Sequence, residues 1–159
     1  MIESIYGHKI GDDGGTFAAA LASVRQWGGV LEHPAWSFAW AEHGLPDPNS
    51  YGGWQRTLCG GSVCCVEQGR YGHPARKATW LYAVGCILPS LRWGFDGYKV
   101  QEVTWRAREN RAIVGWAGNR NSSAMSHRPR ISKKAASATP IEFRDLLISM
   151  ARTVRGGEE

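Results

Sequence analysis

Phe17, Leu21 and Val24 recur at helical spacing within an alanine-rich stretch, and predict a helix from Thr16 to Trp27. Thr16 is placed to cap its start, and Gly28 stands where a residue of positive φ ends a helix. Val30 to His33 then reads as a short strand stopped by Pro34, and Ser37 to His43 as a short helix before the Leu45-Pro46-Asp47-Pro48 turn. Residues 49–61 form a glycine-rich loop, Ser62 to Glu67 a strand, and Gly69 to Pro74 a turn-rich loop. Ala78 to Val84, rich in aromatic and aliphatic residues, is the strongest strand in the chain. Beyond it the pattern weakens: Val100 to Thr104 reads as a strand, Trp105 to Ala117 as partly helical, and 118–138 as a basic loop. Order returns at the end. Thr139-Pro140-Ile141-Glu142 combines a cap, a proline in the first turn and a capping-box glutamate, and Phe143, Leu146, Leu147, Met150 and Val154 share one helical face. This succession predicts an α/β fold on a small, incomplete sheet, with flanking helices and a C-terminal helix. It is read as one domain over 1–159: an irregular leader (1–15), a core (16–85), a basic irregular region (86–138) and a closing helix (139–155).

Composition agrees with a packed chain. Hydrophobic residues are 43% and charged residues 21% of the 159, which excludes wholesale disorder. The 20 glycines imply many tight turns between short elements. The longest apolar stretch, Ala78 to Leu91, is broken by Gly85 and Pro89, so no membrane span is expected, and the first residues lack the pattern of a secretion signal. Cys59, Cys64, Cys65 and Cys86 show no C-x-x-C spacing and include a vicinal pair; they read as buried free thiols in a reducing cytoplasm, with no metal.

Charge divides the chain. Residues 1–69 carry a net −4 and residues 70–155 a net +11, and Glu158 and Glu159 bring the total to +5. Cations at this density repel one another unless a polyanion or an acidic partner neutralises them, which points to DNA or RNA, or to an acidic protein. Solvated surface is the plain alternative. Arg70, Tyr71, His73, Arg76 and Lys77 lie in one glycine- and proline-bearing loop after a strand, suited either to gripping phosphates and stacking a base or to a simple hairpin turn. Arg106, Arg108 and Arg111 partly share a helix face, and Arg120, Arg128, Arg130, Lys133 and Lys134 crowd the following loop. Trp93, Trp105 and Trp116, interleaved with them, read as core. Glu32 and His33 close a strand, at the end where α/β sheets hold ligands. A solvated strand end is the competing reading. There is no phosphate-binding G-x-x-x-x-G-K-[ST], no G-x-G-x-x-G, no G-x-S-x-G and no H-E-x-x-H.

Two segments carry a resemblance. Val30-Leu31-Glu32-His33-Pro34, after a helix, is similar to the strand ending in Glu-Asn-Pro or Glu-Asn-Val of DNA cytosine-C5 methyltransferases. Tyr71-Gly72-His73-Pro74-Ala75-Arg76-Lys77, leading into the strand to Gly85, is similar to their Tyr-Gly-x-Pro-x-Arg loop. The Thr139-Pro140 helix resembles the segment that follows their DNA-recognition region. The chain thus resembles the C-terminal half of small phage and prophage proteins of that group, which implies a Rossmann-like sheet and a pocket at Glu32 and His33 for a base. The departures are equally specific. No Phe-x-Gly-x-Gly loop for S-adenosylmethionine and no Pro-Cys nucleophile dipeptide occurs, and the Gln-x-Arg-x-Arg pattern becomes Ala75, Lys77 and Thr79. Without thiolate and donor, Glu32 has no methyl transfer to assist. The expectation is a catalytically silent, cytoplasmic, phage- or mobile-element-encoded protein that binds nucleic acid without a cofactor. The alternatives are an anti-CRISPR or anti-restriction inhibitor of a host defence complex, and a partial methyltransferase completed by another subunit.

Overall fold

The computed structural model describes residues 13–94, 112–113 and 132–154. Residues 1–12 of the expected leader, the expected strand Val100 to Thr104, most of Trp105 to Ala117 and residues 118–131 lie outside the described residues.

Helix α1 spans Thr16–Trp27, but Thr16 is its first residue and not its cap. Asp13 does that work: its carboxylate accepts the N–H of Gly15 at 3.1 Å and of Phe17 at 2.7 Å, satisfying donors that a helix start leaves open. Gly28 ends the helix with φ 79°, as its position implies. The chain reverses directly into β1, Gly29–Pro34, and then into the short α2, Phe38–Glu42.

The other main strands are β3, Ser62–Glu67, and β5, Ala78–Val84, matching the sequence pattern. A small β2, Gln55–Arg56, lies within the stretch expected to be loop, recruited by pairing with Val63 and Ser62 of β3. The sheet order is β1-β5-β3-β2, and every adjacent pair is antiparallel. β1 and β3 therefore run the same way with β5 reversed between them. The chain is mixed α and β, as expected, but this sheet lacks the parallel neighbours of a Rossmann-like sheet. The reason is connectivity: β3 returns to β5 through ten residues, too few for the helical crossover that parallel neighbours need.

Helices cover both faces of the sheet. On one, Leu31, Val63, Cys65, Trp80 and Tyr82 pack with Phe17 and Leu21 of α1 and Trp40 of α2. On the other, Val30, Cys64, Val66 and Leu81 meet Phe143, Leu146 and Leu147 of the C-terminal helix, with Tyr71, Leu91, Trp54 and Trp93. Two-sided burial explains why β3 and β5 read as continuous apolar runs and not as alternating ones.

Between β3 and β5 a 3-10 turn, Gln68–Tyr71, leads to the two-residue β4, Ala75–Arg76. β4 pairs in parallel with β6, Ala112–Ile113, which lies inside the stretch read as partly helical; there a ladder prevails over helix propensity. Helix α3, Lys133–Ser137, occupies the end of the expected basic loop, with the Ser132 hydroxyl accepting the Ala135 N–H at 3.1 Å. Helix α4, Ile141–Ala151, begins later and ends earlier than the pattern implies. Pro140 is extended at the cap position (φ −56°, ψ 143°), which moves Thr139 out of capping reach, and Glu142 pairs instead with Arg92. At the other end Thr153 Oγ accepts the Ile87 N–H at 2.8 Å, tying the exit of α4 to the exit of β5. No helix among the described residues is long and apolar enough to cross a membrane.

The β2–β3 turn requires glycine twice, for different reasons. Gly60 has φ 85° with open space where a Cβ would stand. Gly61 has φ 78°, and a Cβ there would meet the Ala83 carbonyl oxygen at 2.7 Å and Tyr82 Cε2 at 2.9 Å. Gly60→Ala is expected to cost about 1–2 kcal/mol of left-handed strain. Gly61→Ala adds an overpacking penalty of about 1–3 kcal/mol to the same strain. Urea denaturation of the two variants checks the ranking.

Candidate functional site

At the carboxyl ends of the co-directional strands β1 and β3, a polar cluster interrupts the apolar face beneath α4. Glu32, Leu81 and Cys64 stand level across β1, β5 and β3; Pro34, Thr79 and Val66 form the next row. Gln68, just past β3, extends the same alternation and is fully buried. Its amide nitrogen donates to Glu32 Oε1 at 2.9 Å and to Thr79 Oγ1 at 2.8 Å. The Thr79 hydroxyl donates in turn to the Lys77 carbonyl oxygen at 3.2 Å. Gln68 Oε1 is buried without a hydrogen-bond partner. The Glu32 carboxylate is thus held by the Gln68 amide, whose own oxygen is an acceptor still open to an N–H donor. Its place at the end of a strand and the resemblance found Glu32. They passed over Gln68, and met Thr79 only as a departure from the Gln-x-Arg-x-Arg pattern; strand register brings both to the cluster.

Glu67, also buried, organises the turn that brings Gln68 into place. Its Oε1 accepts the N–H groups of Gly69, at 3.1 Å, and Lys77, at 2.5 Å, while Arg76 Nε stands 3.8 Å from Oε2. A buried carboxylate taking backbone N–H bonds is strongly held, because a charge left unsolvated is costly.

The loop expected to grip phosphates makes many of its bonds internally. Tyr71 is buried against Phe143, ring centroids 5.1 Å apart, and its hydroxyl accepts the Arg92 N–H at 2.9 Å. His73 is buried too: Nδ1 accepts the Ala75 N–H at 3.1 Å, and Nε2 lies 3.1 Å from the Ala135 carbonyl oxygen. Neither ring is placed to stack on a base. Arg70 donates from Nε to the Gly94 carbonyl at 2.9 Å. Lys77 Nζ donates to the carbonyls of Ser137 at 3.2 Å and Ala138 at 3.1 Å, close to the end of α3. Arg76 is half exposed, and Lys134 is exposed on α3. Arg92, not singled out by the sequence, locks this region: it donates to Glu142 and to the Arg70 carbonyl, with its guanidinium 4.9 Å from the Tyr71 ring centroid. Arg106, Arg108, Arg111, Arg120, Arg128, Arg130 and the Lys133 side chain lie outside the described residues.

On the opposite face of β1, His33 packs edge-on against Phe17, ring centroids 4.6 Å apart, with Nε2 2.8 Å from Ser37 Oγ. Between these two residues the backbone leaves the sheet. The Ala35 N–H still bonds the Ala78 carbonyl at 3.1 Å, and Trp36 takes φ 61°. Among the described residues Trp36 is the one non-glycine with positive φ, a conformation that costs a bulky side chain roughly 1–2 kcal/mol. The residue is nonetheless 62% exposed, its ring centroid 6.1 Å from that of Trp80, and the nearby Phe38 is 70% exposed.

The cysteines differ from the expectation of uniform burial. Cys64 and Cys65 are buried, and burial pushes both thiols up, Cys65 to about 11. Cys64 is level with Glu32, yet such a thiol is the reverse of the low-pKa thiolate that nucleophilic attack requires. Cys59 is exposed in the β2–β3 turn, lowered by the Thr57 hydroxyl, 3.3 Å away, and by Arg25. No group of three or more His, Cys, Asp or Glu able to hold a metal occurs among the described residues.

Burial lowers the His33 imidazole below its usual 6.5, against the opposing pull of Glu32 and Asp13. The unfolded chain therefore takes up this proton at a higher pH than the folded one. Stability is complete above pH 6.5 and declines as pH falls through the depressed folded value. His33→Asn is expected to flatten the stability profile below that pH, as measured by denaturant midpoints across a pH series.

Compared with known proteins, the chain gives no significant match to any family model, curated protein or solved structure.

Proposed function

We propose that this chain binds nucleic acid, DNA or RNA, as a methyltransferase-like module that performs no methyl transfer by itself. The observation that carries this reading is the Glu32–Gln68 pair at the carboxyl end of β1. A carboxylate accepts from the exocyclic amino group of cytosine, and a neighbouring amide oxygen accepts a second N–H from a base edge. The buried, unpartnered Gln68 Oε1 supports a donor-bearing ligand at this position. The net charge of +11 over residues 70–155 supports a polyanionic one. Helices on both faces of the sheet favour the Rossmann-like part of the resemblance, whereas the antiparallel pairing departs from it. Absence of a Pro-Cys dipeptide, together with the raised Cys64 thiol level with Glu32, argues against a cytosine-C5 attack by this chain alone.

Fluorescence anisotropy with labelled DNA and RNA over a salt series tests the proposal. Binding is expected to weaken with salt by roughly 0.7–0.9 logarithmic units per phosphate contact. Glu32→Ala is expected to reduce discrimination between bases while leaving that salt slope unchanged. Affinity that is absent, or indifferent to salt, overturns the reading.

A further inference from the structure

The hydrogen bonds of the polar cluster fix what it can still accept. The Thr79 hydroxyl spends its hydrogen on the Lys77 carbonyl, so toward Gln68 it can only accept, and the Glu32 carboxylate can only accept too. Both contacts therefore require the amide nitrogen of Gln68. This settles the orientation of the amide, spends both of its hydrogens and leaves its oxygen with neither neighbour. Gln68 Oε1 is buried without a partner on a fully buried residue. Glu32 is half-buried, and Gln68 is the one hydrogen-bond partner of its carboxylate among the described residues. The second Glu32 oxygen and Gln68 Oε1 are each one carbon removed from an end of the 2.9 Å contact. Glu67 Oε2 and Trp80 Nε1 are also buried without partners, but they belong to the other face: Glu67 is level with Ala78, and Ala78 and Trp80 pack beneath α1. Beneath α4 the cluster thus offers two acceptors, one of them charged, and no donor.

We infer that this pair reads an unpaired guanine, Glu32 accepting from one of its N1–H and 2-amino groups and Gln68 Oε1 from the other. The inference rests on the nucleic-acid reading of this site and names the base. Guanine is the one standard base whose pairing edge carries two adjacent donors. Cytosine and adenine each set a ring acceptor beside the amino group, and thymine and uracil flank one N–H with two carbonyl oxygens. Each of these edges would bring an acceptor against Glu32 or Gln68 Oε1. The carboxylate charge adds to the preference, because charge-assisted hydrogen bonds are the stronger ones. Within a duplex guanine gives both donors to cytosine, so the base must be unpaired or turned out of the stack. The half-buried Glu32 is the side from which it approaches.

The test measures anisotropy of short fluorescein-labelled thymine strands carrying isolated guanine, hypoxanthine, cytosine or adenine. Wild-type protein is expected to prefer the guanine strand over the cytosine and adenine strands by about tenfold, the discrimination of one bidentate base contact. Hypoxanthine keeps N1–H but lacks the 2-amino group, and its strand is expected to fall between. Duplexes of the guanine and adenine strands are expected to bind equally. Glu32→Gln keeps an acceptor for the Gln68 amide but turns a donor toward the base. It is expected to lose the guanine preference, keep the salt slope and melt at the wild-type temperature. Competition by GMP distinguishes the source of the base. Displacement only far above the dissociation constant of the strand assigns guanine within a strand; displacement at that constant keeps guanine and overturns the strand as its source. Salt-dependent binding that is equal for all strands, or that favours cytosine, overturns the guanine assignment and leaves the nucleic-acid reading standing. A guanine preference that Glu32→Gln retains overturns its assignment to this pair. Wild-type protein that binds neither strand nor nucleotide overturns both.

Discussion

The fold depends on one strand being enclosed from four directions. β5 is hydrogen-bonded to β1 along one edge and to β3 along the other, while α1 and α2 cover one of its faces and α4 the other. Trp80 and Tyr82 point to the first face, and Thr79 and Leu81 to the second. All four are buried. Burying such side chains is worth about 1.5–3 kcal/mol each, so a few adjacent positions on this strand supply much of what a small domain needs. The neighbours are held in register against it: a slip of one residue would turn Trp80 and Tyr82 toward α4 and set Thr79 against Phe17.

A strand buried on all sides limits where polar groups are tolerated. Within β5 the one buried polar side chain, Thr79, lies near its start, and it is admitted because Gln68 and the Lys77 carbonyl satisfy it. Gln68 in turn needs Glu32, and the turn that delivers Gln68 needs Glu67. The polar cluster is therefore a consequence of how the β3–β5 connection is tied down, and it falls at the carboxyl ends of two co-directional strands. The tie leaves atoms unsatisfied: Gln68 Oε1 is buried without a hydrogen-bond partner, as are Glu67 Oε2 in the same connection and Trp80 Nε1 on β5.

The sequence revealed most where a single periodicity governs. Ser62 to Glu67 and Ala78 to Val84 were legible to the residue because burial on both faces leaves no position for a solvated side chain. Helix ends were less legible. The cap at α1 comes from Asp13 rather than Thr16, three residues on, and which of the two serves is settled by backbone geometry that composition does not encode. β2 exists because β3 offers it a ladder, and α3 because Ser132 caps a segment whose lysines had suggested loop. In the candidate site Glu32 was readable from its position after a strand. Its partner Gln68, 36 residues away, was not, nor was Thr79 of β5, which joins the cluster through Gln68. The loop 69–77 misled in the opposite direction. Tyr71 and His73 look like ligand contacts in a string of glycines and cations, yet packing against Phe143 and bonds to Ala75 and Ala135 take them inward.

The rigid centre also explains how the rim tolerates strain. Pro34 ends the ladder of β1, because a residue without an N–H cannot extend pairing. The next N–H, on Ala35, is nevertheless captured by Ala78 at the start of β5, and two residues later Ser37 must begin α2 within reach of His33. With both neighbours anchored, Trp36 has to turn the chain between them, and the left-handed region is where it does so. Glycine or asparagine would make that turn at less cost. A tryptophan at that position draws on the stability that β5 supplies, with its ring centroid 6.1 Å from that of Trp80 on the same strand.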